Sequence, residues 1–418
     1  MIDISKDKNI RIYAWAMLAI LFAAQLVMSA GTYAWGPLAP FFRTEFGVSR
    51  TEIGILTSAL YIVAATVSIP SGILVDKLGA RAMLLFSLFV MGFAFIMMPI
   101  VGSFVLIALC AAIGGLGYGS INQATTKGIM LWFNSRTRAT AMGIKKTGVT
   151  IGGGLAAALI PVIAMRYNWQ ACLFIIGGSI LTVAFIAFFY KEQLDTDQSS
   201  VVKIKKNIRP KNMILTLVSN PVLLSVIIIL PFISFCQTSF VTFLVLYLHE
   251  ELDFSVQIAG ICMTIAMVAG TAGRIVWGML SDRMFNGGRI APLLIISLIS
   301  AASVFCFAIL SKNVPLYVFF ILSGVMGFAL IGWNAVIMIL AAELAGPELA
   351  GSSLGIIATA GWAGMVTGGP VFGFITDRFN YFAGWMLVTL VLLISAAGFI
   401  FIYFYVHEKK RVIAHVEG

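Results

Sequence analysis

Three basic residues stand inside long apolar stretches of the sequence: Arg274, Lys145 and Lys146. If those stretches cross a membrane, a charge near its centre costs at least ~2.5–3.5 kcal/mol and normally faces a cavity. A guanidinium group offers paired donors that match a carboxylate. Arg274 is therefore predicted to bind an anion. The alternative is a structural arginine that bonds to neighbouring carbonyl groups or extends to the membrane surface.

Lys145 and Lys146 are consecutive, so on a helix their side chains point about 100° apart and cannot both face one cavity squarely. Lys145 would lie roughly 10 Å from the start of its helix. If one of the two lines a cavity, it adds a second positive charge that suits a small carboxylate or a similar oxyanion. The alternative is that the long side chains extend to the cytoplasmic surface of the membrane.

Uncharged polar residues occur at comparable depth in other apolar stretches. Each of them alone could serve as a hydrogen bond between packed helices. As a group they are predicted to line a substrate cavity together with the basic residues. They are Tyr33, Tyr61, Tyr118, Asn122, Gln123, Gln237, Asn334 and Trp362, the last as an aromatic wall or a packing residue.

Helices must position these residues, and the composition indicates that the helices cross a membrane. The chain of 418 residues is 60% hydrophobic and only 11% charged, with a mean hydropathy of +1.02. A soluble domain has about 25% charged residues, and a bilayer takes roughly 20 residues of helix. The sequence therefore predicts an all-α membrane protein with twelve spans, near residues 12–33, 51–72, 82–101, 104–126, 139–164, 170–190, 221–248, 257–277, 290–310, 315–341, 352–374 and 382–405.

A polar signature occurs twice, in residues 72–81 and again in residues 278–289. Each copy follows an apolar stretch, and Asp76 and Asp282 are 206 positions apart, about half of the chain. The repeat predicts two pseudo-symmetric bundles of six helices. The predicted segments are an N-terminal bundle, a basic cytoplasmic linker and a C-terminal bundle, at residues 1–190, 191–212 and 213–418.

The basic residues also predict an orientation. With both termini in the cytoplasm, 21 of the 27 Lys and Arg residues fall on the cytoplasmic side and Arg274 lies inside the membrane. Such an excess follows the positive-inside rule, so we expect a multi-pass protein of the bacterial cytoplasmic (inner) membrane. The net charge of +10 then needs no nucleic-acid partner, and the chain is expected to be a monomer. The basic residues predicted on the outer side are Arg43, Arg50, Arg166, Lys312 and Arg378.

Few residues suggest chemistry other than binding. The five cysteines lack the spacing of metal ligands and are expected to pack in apolar stretches. No set of Ser, His and Asp suggests a catalytic centre, so neither enzyme activity nor a cofactor is predicted. Apart from Glu52 and Glu343 near span ends, the predicted spans contain no Asp or Glu. Three modes of transport stay open: anion exchange, facilitated diffusion, and symport in which proton and substrate charges neutralise each other at Arg274.

The duplicated signature resembles the loop that follows the second and eighth helices in the major facilitator superfamily, and the resemblance covers the whole chain. It implies two six-helix halves that expose a midplane site to alternate sides of the membrane. It also implies that Asp76, Arg81, Asp282 and Arg283 belong to a cytoplasmic gate. The aspartates would pair there with a nearby arginine or with a helix N-terminus.

Two shorter patterns resemble anion porters of that superfamily. Residues 273–282 are similar to the eighth-helix motif of monocarboxylate and oxalate/formate porters, and residues 141–149 to a fifth-helix segment of cyanate-permease-like members. The chain also departs from these patterns. Gly270 stands where monocarboxylate porters often have Asp or Asn, and residues 352–374 lack the lysine of oxalate porters.

These patterns favour a secondary active transporter of a small, monocarboxylate-like organic anion, with a proton as the possible coupled ion. The main alternative is an exporter of a larger amphipathic compound, of the drug or siderophore type, since 19 Met and 32 Phe could line a wide cavity. Drug/proton antiporters usually have a Gly-Pro pair in the fifth helix, whereas residues 148–154 contain no proline. The third alternative is a membrane receptor or enzyme without transport activity. Against it, the sequence contains no sizeable extramembrane domain.

Overall fold

The computed structural model describes residues 8–133, 137–191, 219–285 and 287–416, and they are mostly helical. The predicted linker at residues 191–212 lies outside the described residues, apart from Lys191. Numbered in chain order, the helices are α1 (Lys8–Thr32), α2 (Trp35–Phe46), α3 (Arg50–Met97), α4 (Phe104–Trp132), α5 (Arg138–Arg166), α6 (Trp169–Ala187), α7 (Pro221–Glu250), α8 (Val256–Arg283), α9 (Ile290–Ile309), α10 (Leu316–Leu330), α11 (Asn334–Arg378) and α12 (Tyr381–Val416).

Eleven helical stretches of the described chain are long and apolar enough to cross a membrane. One of them, α3, has 48 residues, more than twice the roughly 20 that a bilayer requires. Gly79 divides α3, because its backbone leaves the helical region with φ 89° and ψ 163°. Two spans therefore lie in α3, which gives the twelve spans that the sequence predicts.

The first polar signature differs from the loop that was expected after residue 72. Helix continues through residues 72–78, and the turn is confined to Gly79. A positive φ favours glycine because glycine has no β-carbon to clash with the backbone. Asp76 is consequently placed on the last turn of a helix rather than in a loop.

Two of the described apolar stretches, Ile12–Phe46 and Leu316–Ala345, are interrupted, the first of them where the predicted span 12–33 ends. The first bends at Tyr33–Ala34, between α1 and α2, and the second, which is the tenth predicted span, at residues 331–333, between α10 and α11. The span predicted at residues 315–341 is present, but it is interrupted rather than one continuous helix. A break leaves backbone groups outside the regular helical pattern, which a membrane protein tolerates only where protein or a watery cavity surrounds them.

One compact unit contains the described part of residues 1–207 together with residues 255–264. Its helices approach closely at glycines. A β-carbon added at Gly119 of α4 would collide with the backbone of Ala64 in α3, and one at Gly152 of α5 would strike the Leu26 carbonyl of α1. Small residues permit such contacts, which supply van der Waals packing where lipid gives no hydrophobic drive.

The second compact unit contains the described part of residues 208–254 and of residues 265–418. Gly327 of α10 lies against the backbone of Ala266 in α8, and Gly364 of α11 against that of Pro231 in α7. Aromatic rings fill the interior around Trp385, including Phe372 at 4.8 Å between ring centroids. Glycine contacts therefore bring α10 close to α8 and α11 close to α7, and buried rings pack α11 against α12.

Candidate functional site

Lys145 is completely buried, whereas its neighbour Lys146 is exposed. The difference follows from their positions on α5. Lys145, Gly148 and Gly152 are three and seven residues apart and share one face, and the two glycines pack on α1. Lys146 is turned about 100° away from that face. The buried position of Lys145 excludes the expected alternative in which its ammonium reaches the membrane surface.

Both lysines reach the same amide on α4. Lys145 Nζ lies 3.0 Å from Thr126 Oγ1, 3.4 Å from Asn122 Oδ1 and 3.5 Å from the Asn122 carbonyl oxygen. Lys146 Nζ lies 3.4 Å from the same Asn122 Oδ1. All of these partners are neutral, so Asn122, one of the predicted site residues, joins the lysines into one cationic cluster.

The other predicted site residues of this unit divide between ring contacts and helix packing. Tyr61 and Tyr118 form an edge-on pair with ring centroids 6.3 Å apart, and Tyr33 is buried at the bend between α1 and α2. Gln123 donates from Nε2 to the carbonyl oxygen of Ser68 at 3.0 Å and to its hydroxyl at 2.8 Å. Gln123 thus ties α4 to α3, the packing role that the sequence left open.

Arg274 lies on α8 beside the break in the tenth span. Its Nε donates to the carbonyl oxygen of Ile331 at 3.4 Å, and the side chain is half-buried. Gly273 allows this approach, because a β-carbon there would collide with the Phe328 carbonyl oxygen. α10 ends at Leu330, so the positive guanidinium stands near the negative end of a helix dipole. The bond to a neighbouring carbonyl agrees with the structural alternative, and it also orients the group.

A buried glutamine fixes the other side of the same break. Gln237 Oε1 accepts from Trp333 Nε1 at 3.0 Å and from Asn334 Nδ2 at 3.3 Å. An indole N–H can only donate, so the atom of Gln237 that faces it must be the oxygen. Asn334 must then present its amide nitrogen to that oxygen. The orientations leave Gln237 Nε2 and Asn334 Oδ1 for other partners.

Two tryptophans complete the description of this break. Trp277 was not predicted as a site residue, yet its Nε1 donates to the Phe328 carbonyl at 3.1 Å. Its position three residues after Arg274, on the same face of a helix, was the available signal. Trp362 of α11 is half-buried. Arg274 and Trp277 therefore bond to two carbonyls near the end of α10.

The first copy of the repeated signature is bound by residues of α4 and α6. Lys127 Nζ lies 3.1 Å from Asp76 Oδ1 and 2.8 Å from the Val75 carbonyl oxygen. Arg81 donates from a terminal nitrogen to the Phe188 carbonyl at 2.6 Å. Asp76 therefore pairs with a lysine of α4, where the sequence suggested an arginine or a helix N-terminus.

The second copy is centred on Arg289, which was not among the residues predicted for the gate. Arg289 pairs with Asp282, donates to Ser281 Oγ at 2.9 Å, and binds Glu343 of α11 at 2.8 Å. The hydrogen bond to Glu343 raises the pKa of the Arg289 guanidinium, while burial lowers it. Arg283, which was predicted to belong to the gate, is exposed. The cluster joins α8, the start of α9 and α11.

Acidic residues occupy restricted positions in the described spans, and no metal-binding group is found among the described residues. Every Asp and Glu in the eleven described spans lies near a span end or beside the Gly79 turn. Over the described ranges, no three His, Cys, Asp or Glu residues are grouped in a way that could hold a metal ion.

Comparisons with known proteins agree on one family. The sequence model of the Major Facilitator Superfamily matches residues 21–369. A probable sulfoacetate transporter of Cupriavidus necator is 24% identical over 379 residues, which cover 87% of this chain and 88% of the relative. A probable L-galactonate transporter of Escherichia coli is 25% identical over 316 residues, covering 73% and 69%.

The solved structures that resemble this chain support the same fold. A bacterial homologue of the human lysosomal transporter Spinster, in an inward-facing conformation, superposes with a TM-score of 0.78. The alignment covers 93% of this chain and 97% of that one, at 15% sequence identity. At such an identity the likeness shows the fold alone.

Proposed function

Because the chain belongs to the Major Facilitator Superfamily, it is a membrane transporter rather than an enzyme, and we propose that it moves a small organic anion. The proposed mechanism is secondary active transport by alternating access across the cytoplasmic membrane. The anion is monocarboxylate-like, and its movement is driven by proton symport or by exchange for another anion.

One observation carries the proposal: Lys145 is fully buried and its hydrogen-bond partners, Asn122 and Thr126, are neutral. In the described part of the chain, no carboxylate pairs with this lysine. Taking an ammonium group out of water costs several kcal/mol unless an opposite charge compensates it. An anionic substrate would supply that charge, and Lys146 on the same amide would add to the attraction.

Arg274 gives the second unit its own source of positive charge. The bond from Nε to the Ile331 carbonyl holds the guanidinium in place, and a planar guanidinium can bind a carboxylate through two parallel hydrogen bonds. The amide groups of Gln237 and Asn334 lie by the same helix break and offer both a donor and an acceptor. These groups suit a substrate that has polar, uncharged substituents besides its acidic group.

The names of the relatives also support an anion. Sulfoacetate and L-galactonate are organic acids that are ionised at neutral pH, and proteins named for their transport align with most of this chain. At about a quarter identity this likeness does not assign a particular substrate. We therefore propose the class, small organic anions, and treat the two compounds as probes.

The two copies of the polar signature are proposed to act as gates during transport. Lys127–Asp76 joins α4 to the end of the second span, and Arg289 joins Asp282 to Glu343. Ion pairs at helix ends can form in one state and separate in another because they are partly exposed, so each costs little to break.

Uptake into proteoliposomes tests the proposal. The purified protein is reconstituted, and entry of labelled sulfoacetate and L-galactonate is measured for wild type, Arg274→Ala, Arg274→Lys and Lys312→Ala. Lys312 is the matched control, since it is a basic residue that pairs with exposed Asp253. We expect saturable uptake of at least one probe, a loss of at least tenfold in Arg274→Ala and partial recovery in Arg274→Lys.

The size of that loss follows from the bonds removed. A charge-assisted hydrogen bond contributes about 1.5–3 kcal/mol, which corresponds to a factor of roughly 10–150 in affinity. Lys312→Ala should behave like wild type. Unchanged uptake in Arg274→Ala would remove Arg274 from anion binding, and efflux of a hydrophobic dye without uptake of either acid would favour the exporter alternative.

A further inference from the structure

Lys145 is fully buried among neutral partners, and its charged neighbour Lys146 has the same sign, so its surroundings favour an amine over an ammonium ion. Its Nζ has three contacts, with Thr126 Oγ1, Asn122 Oδ1 and the Asn122 carbonyl. Two N–H bonds of an amine can donate to the two Asn122 oxygens. The lone pair of the nitrogen can then accept the proton of the Thr126 hydroxyl, so that every group in the cluster is satisfied.

The Thr126 hydroxyl also favours an amine at position 145, because it differs from the hydroxyl of its neighbour Thr125 in its hydrogen bond. Thr125 donates its hydroxyl proton back to the Ile121 carbonyl at 2.7 Å, the usual bond of a threonine in a helix. Among the described residues, Lys145 Nζ is the hydrogen-bond partner of the Thr126 hydroxyl. An ammonium ion could donate its three N–H groups to the three oxygens, but it has no lone pair, so the Thr126 proton would need another acceptor.

The charged groups around Lys145 also favour its uncharged amine form. Lys146 is the charged group that acts on Lys145, among the groups described on α5 and on the helices packed against it. The two lysines share Asn122 Oδ1 as a hydrogen-bond partner. Lys127 lies one residue beyond Thr126 on α4 but pairs with Asp76, and Glu45 and Arg43 are at the far end of α2. The neighbouring tyrosines, Tyr33 and Tyr118, are uncharged at neutral pH.

We propose that Lys145 carries the proton that is transported together with the anion. In the empty carrier Lys145 is an uncharged amine and Lys146 is charged. When the anion binds, a hydronium ion on the loading side gives up a proton: one O–H bond breaks, one N–H bond forms at the Lys145 Nζ lone pair, and a water molecule is left. The new ammonium charge balances the anion. When the anion leaves on the other side, that N–H bond breaks and the proton passes to water there.

This inference rests on the proposed transport of an anion and adds the coupling to it. A carboxylate within the membrane is the usual proton carrier, but the carboxylates of the described spans lie at span ends or beside the Gly79 turn. Lys145 takes the role of proton carrier in their place. One proton crosses with each anion. At equilibrium, an inward gradient of one pH unit should therefore change the accumulation of a monovalent anion roughly tenfold.

A lysine-to-arginine substitution separates coupling from charge. Arginine keeps a positive charge at position 145 but does not lose its proton in proteins. Proteoliposomes that contain a pH-sensitive dye receive L-galactonate, and anion uptake and internal acidification are recorded together. Wild type should take up about one proton per anion. Any L-galactonate that Lys145→Arg takes up should enter without acidification and without the tenfold response to pH. Lys312→Arg, the matched control, should behave like wild type.

Several results would overturn the inference. Acidification by Lys145→Arg at the wild-type ratio would show that another group carries the proton. Uptake of L-galactonate by wild type without proton movement would reject coupling and leave anion transport standing. If wild type takes up neither L-galactonate nor sulfoacetate, the proposed function fails and this inference fails with it.

A second measurement uses the wild-type protein, so its result does not depend on the folding of a variant. Titration calorimetry of the wild-type protein with L-galactonate, in two buffers of different ionisation enthalpy, gives the number of protons taken up per anion bound. The proposal predicts a value near one at neutral pH. A value of zero would contradict it whatever the behaviour of Lys145→Arg.

Discussion

Gln237 shows how one buried amide orients its neighbours. Its oxygen accepts two hydrogen bonds, from Trp333 and from Asn334, and the glutamine is 3% exposed. Without that oxygen, the indole N–H of Trp333 would be buried with no acceptor. An unsatisfied buried donor costs about 1–3 kcal/mol.

Gln237→Leu is therefore expected to destabilise the folded protein by about 1–3 kcal/mol and to lower its melting temperature in detergent. Gln170→Leu is the control, because the Gln170 oxygen is buried without a hydrogen-bond partner in the described structure. A thermal melt of both variants measures the difference. Equal melting temperatures would show that the Gln237 bonds contribute nothing to the break at residues 331–333.

The sequence identifies which residues are polar within apolar stretches, but it does not identify their partners. Gln123 and Gln237 look equivalent in the sequence, yet Gln123 is bound to Ser68 and Gln237 to Trp333 and Asn334. The depth of Lys145 follows from its position on α5. Its burial could not be predicted, because it depends on how Gly148 and Gly152 bring α5 against α1.

At the scale of helices, glycine contacts determine how closely α8 and α10 approach. A β-carbon at Gly327 would lie 2.5 Å from the carbonyl carbon of Ala266, so the helices would have to separate. Arg274 depends on that approach, since its Nε bonds to the backbone just after α10.

Gly327→Ala should destabilise the protein by about 1–3 kcal/mol through overpacking and should weaken the uptake of L-galactonate. The control is Gly178→Ala on α6, where an added β-carbon meets no atom within 4 Å. That substitution should be neutral or stabilising by up to about 1 kcal/mol, because alanine favours a helix. If Gly327→Ala melts at the same temperature as Gly178→Ala, the close packing of α8 on α10 is not required.

Hydropathy and length predict the helices well, because a bilayer sets both the composition and the minimum length of a span. They place the end of the first span at Tyr33, where the chain bends, but they do not predict the break at residues 331–333, because hydropathy averaged over a whole span does not register so short an interruption. They also place a loop at residues 72–81, where one glycine makes the turn. The polar residues Asp76, Lys77 and Arg81 mark this place in the sequence, but they lie on helix on either side of a turn of a single residue.

At the scale of the whole molecule, the duplication that the sequence reveals does not extend to the chemistry of the two units. Asn122 and Asn334 are 212 positions apart, the offset that also relates Arg166 to Arg378. Asn122 offers its oxygen to two lysines, whereas Asn334 offers its nitrogen to Gln237. The paired aspartates differ as well, since Asp76 binds Lys127 and Asp282 binds Arg289.

The central claim is that the carrier recognises negative charge, and a pair of matched ligands tests it most directly. L-galactonate and L-galactonamide have nearly the same size and the same hydroxyl groups, but only the acid is charged. Their effects on the melting temperature of the wild-type protein are measured at equal concentrations, beside sulfoacetate. The account predicts that the acids raise the melting temperature and that the amide does not, because the buried lysine and Arg274 require a counter-charge. Equal stabilisation by the acid and the amide would contradict it.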